Sequence, residues 1–247
     1  MQVENSVIVV TGAASGLGEG AARYLAKAGA RVAGVDVQPI SAESESLGIS
    51  GYLCDVSDDD AVTATLAGIA RQHGRIDAVV NCAGIVVPRP LFGPDGAYPP
   101  DLFRRIVDIN LTGTFQMMTR AVEHMVTNDP NADDERGVFV NIASIAAIDR
   151  SSSIGYAASK GGVVALSLTA ATDLVPYGIR TNAIAPGFMD TPMFAGLPQD
   201  YVDNLMTKVA FPKRLARMDE FGHLVRSLIE NTYMNGALIR FDAGARS

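Results

Sequence analysis

The chain has 247 residues, 48% of them apolar, and a formal net charge of −7. That much apolar material fills a substantial core, while the acidic balance argues against broad nucleic-acid binding or attachment to an anionic membrane surface. Two cysteines make no disulfide framework, three scattered histidines have no metal-ligand spacing, and neither a leader pattern nor a membrane-long apolar run is present. A cytoplasmic protein without a bound metal is expected. No linker, repeat or low-complexity tract interrupts the alternation of strand-like and helix-like patterns, so residues 1–247 read as one domain.

Ser6 to Val10 is a short β-branched apolar run, the signature of a central parallel strand. It passes at once into Thr11-Gly12-Ala13-Ala14-Ser15-Gly16-Leu17-Gly18 and then a helical pattern up to Gly29. Strand, glycine-rich turn and helix in that order make a dinucleotide phosphate site. Gly12, Ser15, Gly16, Leu17 and Gly18 are its candidate residues, although the spacing is Gly-x-x-x-Gly-x-Gly rather than Gly-x-Gly-x-x-Gly. The second strand, Arg31 to Val37, carries Asp36 near its C-terminal end, where an acidic residue accepts hydrogen bonds from an adenosine ribose. A carboxylate there repels a 2′-phosphate, and no Arg or Lys follows directly to offset it. The expected cofactor is NAD(H) rather than NADP(H).

Gly51 to Cys54 reads as a third strand leading to Asp55-Val56, with Asp55 placed near the adenine. Ser57 suits a helix cap, and Asp58 to Asp60 suit the first turn of a helix that runs to about Gln72 and stops at Gly74. Asp77 to Asn81 is the fourth strand; the small residues Ala83 and Gly84 after it let a cofactor lie against the strand ends. Val86 to Pro100 is a Pro- and Gly-rich loop, and one helix is expected from Asp101 to about Val126 with Asn110 facing inward. Asn128 to Arg136 reads as a solvent-exposed charged turn.

Val138 to Ala143 is a buried strand, left at Ser144 through a polar loop at Asp149 to Ser153 that enters a long helix. Tyr156 and Lys160 lie one helical turn apart on that helix, so their side chains share a face. A hydroxyl, a phenol and an ammonium converging there could move a proton on an oxygen while holding a carbonyl. Gly161-Gly162 suggests close packing against another backbone. The helix is small and apolar nearly all round, as a helix buried against both the sheet and a second subunit is. Ile179 to Ala185 is a sixth strand ended by Pro186-Gly187; Phe188 to Met218 is irregular, with a short helix near Tyr201 to Val209, and reads as a lid. A helix from Asp219 to Glu230 and a strand from Ala237 to Phe241 finish the chain. The alternation predicts an α/β fold: a Rossmann-type, doubly wound parallel sheet of about seven strands with helices on both faces.

Thr11-Gly12-x-x-x-Gly16-x-Gly18, Asp55-Val56, Asn81-Cys82-Ala83-Gly84, Asn110, Ser144, Tyr156-x-x-x-Lys160 and Pro186-Gly187-x-x-x-Thr191 together resemble the short-chain dehydrogenase/reductase family over essentially the whole chain. Cys82 departs from it, since most members have a second Asn there. The chain is further similar to the short-chain type 2 3-hydroxyacyl-CoA dehydrogenases, through the Asn-Cys-Ala-Gly tetrapeptide, the longer loop after it, the Arg-Gly-Val entry to the fifth strand, Phe211-Pro-x-Arg214-Leu and Leu228-Ile-Glu-Asn231-x-x-x-Asn235-Gly236.

The resemblance implies reversible, NAD-dependent oxidation of a 3-hydroxyacyl-CoA thioester by a homotetramer. Tyr156 would then be the base and Lys160 its activator, both also cofactor contacts, with Ser144 the holder of the substrate oxygen and Asn110 the holder of a water that connects Lys160 to solvent. Asp36, Asp55, Val56, Asn81, Ala83, Gly84, Pro186, Gly187 and Thr191 would join the glycine loop in cofactor binding. Apart from the resemblance, Lys208, Lys213, Arg214 and Arg217 cluster around the expected lid and read either as a solvated face or as a landing site for coenzyme A phosphates. A general secondary-alcohol, steroid or sugar dehydrogenase and a 3-oxoacyl carrier-protein reductase are the alternatives among enzymes; a dinucleotide-sensing scaffold is the alternative outside them.

Overall fold

The structure, a computed structural model, describes residues 1–149, 151, 153–191 and 199–246, the side chain of Tyr201 excepted. The expected lid at 188–218 and the loop before the long helix therefore lie partly outside the described residues. Runs of Val, Ile and Ala form the strands of one parallel sheet: β1 (Val7–Thr11), β2 (Arg31–Asp36), β3 (Ser50–Leu53), β4 (Ala78–Asn81), β7 (Gly137–Ile142), β8 (Ile179–Pro186) and β9 (Leu238–Phe241). Their order is β3-β2-β1-β4-β7-β8-β9. Every position of β1, β4, β7 and β8 is buried, as strands covered on both faces must be.

The chain winds outward from β1 in one direction and then, from β4, in the other, which opens a crevice at the C-terminal strand ends where β1 and β4 meet. One face of the sheet is covered by α1 (Gly16–Lys27) and α8 (Met218–Glu230), through Leu25, Phe221 and Val225. The other is covered by α3 (Asp59–His73), α5 (Gly113–Met125) and α6 (Ile154–Asp173), with Leu66, Ile69 and Met117 at the centre.

The differences from expectation have local causes. Asp58, not Ser57, caps α3, its carboxylate accepting from the Ala61 N–H at 3.0 Å; Ser57 is held instead by Asp55. A short helix, α2 (Ala42–Ser46), forms behind the N-cap Ser41, and α7 (Gln199–Thr207) starts just before the position expected for the short helix. The loop at 86–100 contains a small hairpin, β5 (Phe92–Gly93) with β6 (Gly96–Ala97), and a bridge from Arg89 to Ser153 at the foot of α6. The single helix expected from Asp101 is broken into α4 (Pro100–Val107), a π-helical turn Asp108–Thr112, and α5. Gly162 makes room for the Leu111 side chain, 2.6 Å from where a Cβ would sit, while nothing stands within 4 Å of a Cβ at Gly161, so among the described residues the close approach at Gly162 is to a side chain rather than to a backbone.

The expected exposed turn at Asn128 to Arg136 is half internal. Asn128 donates to the Ile76 and Arg136 carbonyls at 2.7 and 2.9 Å. Glu135 is paired with Arg180 of β8 at 2.6 Å, with side chains only 4% and 9% exposed. Arg180 also donates to the carbonyls of Leu228, Ile229 and Met234, which closes the C-terminal end of α8 against the sheet. Charge patterning on a turn cannot show that its acid finds a buried partner forty-five residues on. Breaking such a pair leaves an uncompensated buried charge, so Glu135→Gln should lower unfolding stability by about 3 kcal/mol; equilibrium urea denaturation measures it, and a loss under about 0.5 kcal/mol would mean the pair is solvated after all.

Candidate active site

The crevice floor is made of backbone. Thr11 ends β1 and its Oγ1 accepts the N–H groups of Cys82 and Ala83, both at 3.0 Å, which ties the end of β1 to the turn after β4. Gly12 and Gly16 take φ of 68° and 55°, the left-handed region that favours glycine. A Cβ at Gly12 would stand 3.0 Å from the Ala83 nitrogen, and one at Gly18 only 2.1 Å from the Gly12 oxygen. Ser15 is the N-cap of α1 yet its side chain makes no capping bond, so the first-turn N–H groups stay open to an anion. Leu17 turns the other way and packs on the core. Thr191 brings its methyl to within 3.8 Å of the Cβ position of Gly16, so the segment after β8 closes on this loop.

Asp36 stands at the C-terminal end of β2, partly exposed, and accepts the Ala14 and Gln38 N–H groups, both at 3.0 Å. Those bonds aim the carboxylate along the rim of the glycine loop. Asp55 is exposed further out, whereas Val56 is turned into the core against Gly113, so its side chain is not part of the crevice. Asn81 likewise points inward, donating to Asn141 at 2.8 Å, and can offer the crevice only its main chain. Ala83 and Gly84 line the strand end; Pro186 ends β8, and Gly187 fits under the Asp242 main chain. A positive helix end, a glycine floor and an acid on the rim fit the pyrophosphate and ribose of a nicotinamide dinucleotide.

Beside that floor stand the chemical groups. Lys160 is 3% exposed. Its ammonium donates to the Ile142 carbonyl at 2.6 Å and lies 5.9 Å from the centroid of the Tyr156 ring. Burial draws Lys160 down to about 8, with the Cys82 thiol opposing. Burial also pushes the Tyr156 phenol above its ordinary value of 10.0, against the pull of the Ser144 hydroxyl beside it. The Ser144 hydroxyl is thus a neighbour that eases the phenol's ionisation. Cys82 is pushed up to about 12 by its burial and stays a protonated thiol, so the residue that replaces the common Asn is small and inert.

Asn110 sits fully buried in the π-helical turn. Its Oδ1 accepts the Ile85 N–H at 2.7 Å, and its Nδ2 donates to the Ile85 carbonyl and to Ser159 Oγ at 2.9 and 3.0 Å. A Cβ at Gly84 would fall between Asn110 Oδ1 and Lys160 Nζ, 3.1 and 3.4 Å away, so glycine keeps that gap open. The π-helical turn carries Asn110, in mid-helix, against Ile85 and Ser159; such turns are frequent at functional sites. Ser159 and the Ile142 carbonyl escape a motif reading because their part is to hold other groups and a helical Ser carries no distinctive pattern, whereas Thr11 stands in the glycine motif and the structure adds its bonds to Cys82 and Ala83. Of the basic cluster, Arg214 forks onto Glu220 at 2.7 and 2.9 Å and Arg217 pairs with Asp219 and Glu220. Glu220 is held down to about 2 by these partners, Arg214 first. That leaves Lys208 and Lys213, both exposed, outside any ion pair among the described residues.

A family model described as enoyl-(acyl carrier protein) reductase matches residues 12–246. The 3-hydroxyacyl-CoA dehydrogenase type-2 of Drosophila melanogaster is 40% identical over 252 residues, covering 99% of this chain and 98% of that protein. The Homo sapiens protein of the same name is 38% identical, covering 99% and 96%. The crystal structure of 3-hydroxyacyl-CoA dehydrogenase type-2 from Mycobacterium avium matches with a TM-score of 0.89 at 33% identity, covering 98% of this chain and 96% of that one. With the glycine floor, the buried lysine and the tyrosine above it in place, the chain belongs to the short-chain dehydrogenase/reductase family and is an oxidoreductase that works with a nicotinamide dinucleotide.

Proposed function

We propose that the protein is an NAD(H)-dependent dehydrogenase that interconverts 3-hydroxyacyl-CoA and 3-oxoacyl-CoA thioesters. What carries the reading is the gathering of Ser144, Tyr156 and Lys160 at the crevice whose far rim is Asp36. The thioester substrate is inferred from full-length similarity to proteins named for that activity.

Tyr156 takes the proton of the substrate hydroxyl during oxidation and returns it during reduction. Ser144 donates to the same substrate oxygen and fixes it beside the phenol. Bound nicotinamide supplies the hydride acceptor or donor. Lys160, at about 8, carries its charge at neutral pH, and a cation so close in a dry site favours the phenolate. Asn110 holds the Gly84–Ile85 segment and Ser159 around that lysine, which keeps open the gap that a connecting water would use. Catalytic roles thus fall to Asn110, Ser144, Tyr156 and Lys160. The exposed Phe103, Phe115 and Leu168 on α4, α5 and α6 favour a homo-oligomer built on these helices; sedimentation velocity tests it, and a monomer at micromolar concentration would refute it.

Tyr156→Phe should lower kcat by about a thousandfold, the middle of the range for a general base, with NADH affinity near that of the parent. Because the phenol is raised, oxidation in the parent should climb with pH and ketone reduction should fall over the same interval. Lys160→Ala should move both limbs to higher pH. Stopped-assay pH profiles in both directions check this, and a substantially active Tyr156→Phe enzyme would refute the assignment.

Asp36 should give NADH at least about a hundredfold advantage over NADPH in kcat/KM, since apposed like charges cost several kcal/mol. Asp36→Ser should shrink that ratio to near tenfold or less; equal use of both cofactors by the parent would contradict the reading. Reversing Lys208 and Lys213 to Glu should raise KM for acetoacetyl-CoA several-fold while leaving a truncated thioester without phosphates unaffected. Equal weakening of the two would remove those lysines from coenzyme A binding, and a steroid ketone outpacing every acyl-CoA would favour the general dehydrogenase.

A further inference from the structure

Arg240 lies near the end of the edge strand β9, in register with Ala185 of β8. Its guanidinium forks onto the loop that leaves β7: Nη1 donates to Asp149 Oδ1 at 2.9 Å and Nη2 to Oδ2 at 2.6 Å. The same group donates from Nε to Asp242 Oδ2 at 2.8 Å and from Nη2 to the Ala245 carbonyl at 3.1 Å. Asp149 in turn closes a bonded turn that begins at the serine. Ser144 Oγ accepts the Ala146 N–H, its carbonyl accepts the Ala147 N–H, and the Ile145 carbonyl accepts those of Ile148 and Asp149.

The tail on the other side of Arg240 is itself fixed to two more walls of the cleft. Gly187 donates its N–H to the Phe241 carbonyl, and the Asp242 Cα lies 2.9 Å from where a Gly187 Cβ would be. The Ala243 carbonyl accepts the N–H groups of Ala210 and Phe211, and Arg246 donates its N–H to Lys208. The guanidinium therefore ties the serine turn to a tail whose main chain holds the Pro186-Gly187 turn and the latter part of the expected lid.

We propose that Arg240 and Asp149 are positioning residues for Ser144, the forked pair pinning the far end of the serine's turn and so setting where its hydroxyl meets the substrate oxygen. A fork fixes orientation in a way a single contact does not. The two side chains are 25% and 16% exposed, so water screens their charges and the pair matters through geometry more than through folding energy. The proposal rests on the role given to Ser144 above, and the test separates the two.

Asp149→Asn keeps the shape and removes the charge. It should lower kcat roughly tenfold or more, as small misplacements of a positioned group do, with the NADH dissociation constant and melting temperature close to the parent's. Arg240→Lys, which keeps the charge but loses the fork, should do the same, and stands in should Asp149→Asn fold poorly. The deciding measurement is the double variant: in a Ser144→Ala background, Asp149→Asn should change kcat no further. Losses that multiply, or an unaltered kcat in both single variants, would overturn the proposal. Full activity in Ser144→Ala alone would instead overturn the serine's role, and the positioning proposal with it.

Discussion

Lys160 carries its ammonium to a place where the Ile142 carbonyl meets it at 2.6 Å and water hardly reaches it. Holding a charge there is unfavourable, which is why the group is drawn down to about 8. The rest of the site answers that constraint. A carbonyl at the end of β7 turns toward the lysine, Gly84 leaves a gap beside it, and Asn110 holds the neighbouring loop in place. The same scarcity of water raises the phenol above it, so the ammonium is pushed down and the phenol up, and the values of the two neighbours are driven apart.

The cofactor crevice rests on backbone geometry more than on side chains. Parallel strands that end together leave their carboxyl edges open, and the reversal of direction between β1 and β4 leaves a gap that no connection crosses. Gly12 and Gly18 let two chain segments nearly touch, and Thr11 replaces the hydrogen bonds that the diverging strand ends lose. Side chains such as Val56, Asn81 and Leu17 support this frame from behind. They are bound up with the crevice without lining it.

The opposite wall is made of loops, and loops need fastening. The hairpin at Phe92–Ala97 is anchored to the foot of α6 by the bridge from Arg89 to Ser153 and by the Ser153 hydroxyl on the Val87 carbonyl. On the other flank, Arg240 gathers segments that are distant in the chain but adjacent at the end of the sheet. Charge that is internally spoken for, as in Arg214 and Arg217, serves this fastening, while Lys208 and Lys213 are left facing solvent.

Local pattern by itself determined the strand order's ingredients, the glycine turn, Asp36 at the end of β2, and the Tyr156–Lys160 face of one helix. Each follows from spacing and propensity within a few residues, or one turn of helix, and each stands where the fold places it. The π-helical turn around Asn110 was not legible, because it is set by Ile85 and Ser159, which are 25 and 49 positions away. Nor was the inward turn of Val56 and Asn81, the burial of Glu135 against Arg180, or the diversion of Arg214 onto Glu220. Only the tertiary structure decided these, for one reason: whether a polar group meets water, a ligand or a buried partner depends on what packing brings beside it, and that partner has no fixed distance along the chain.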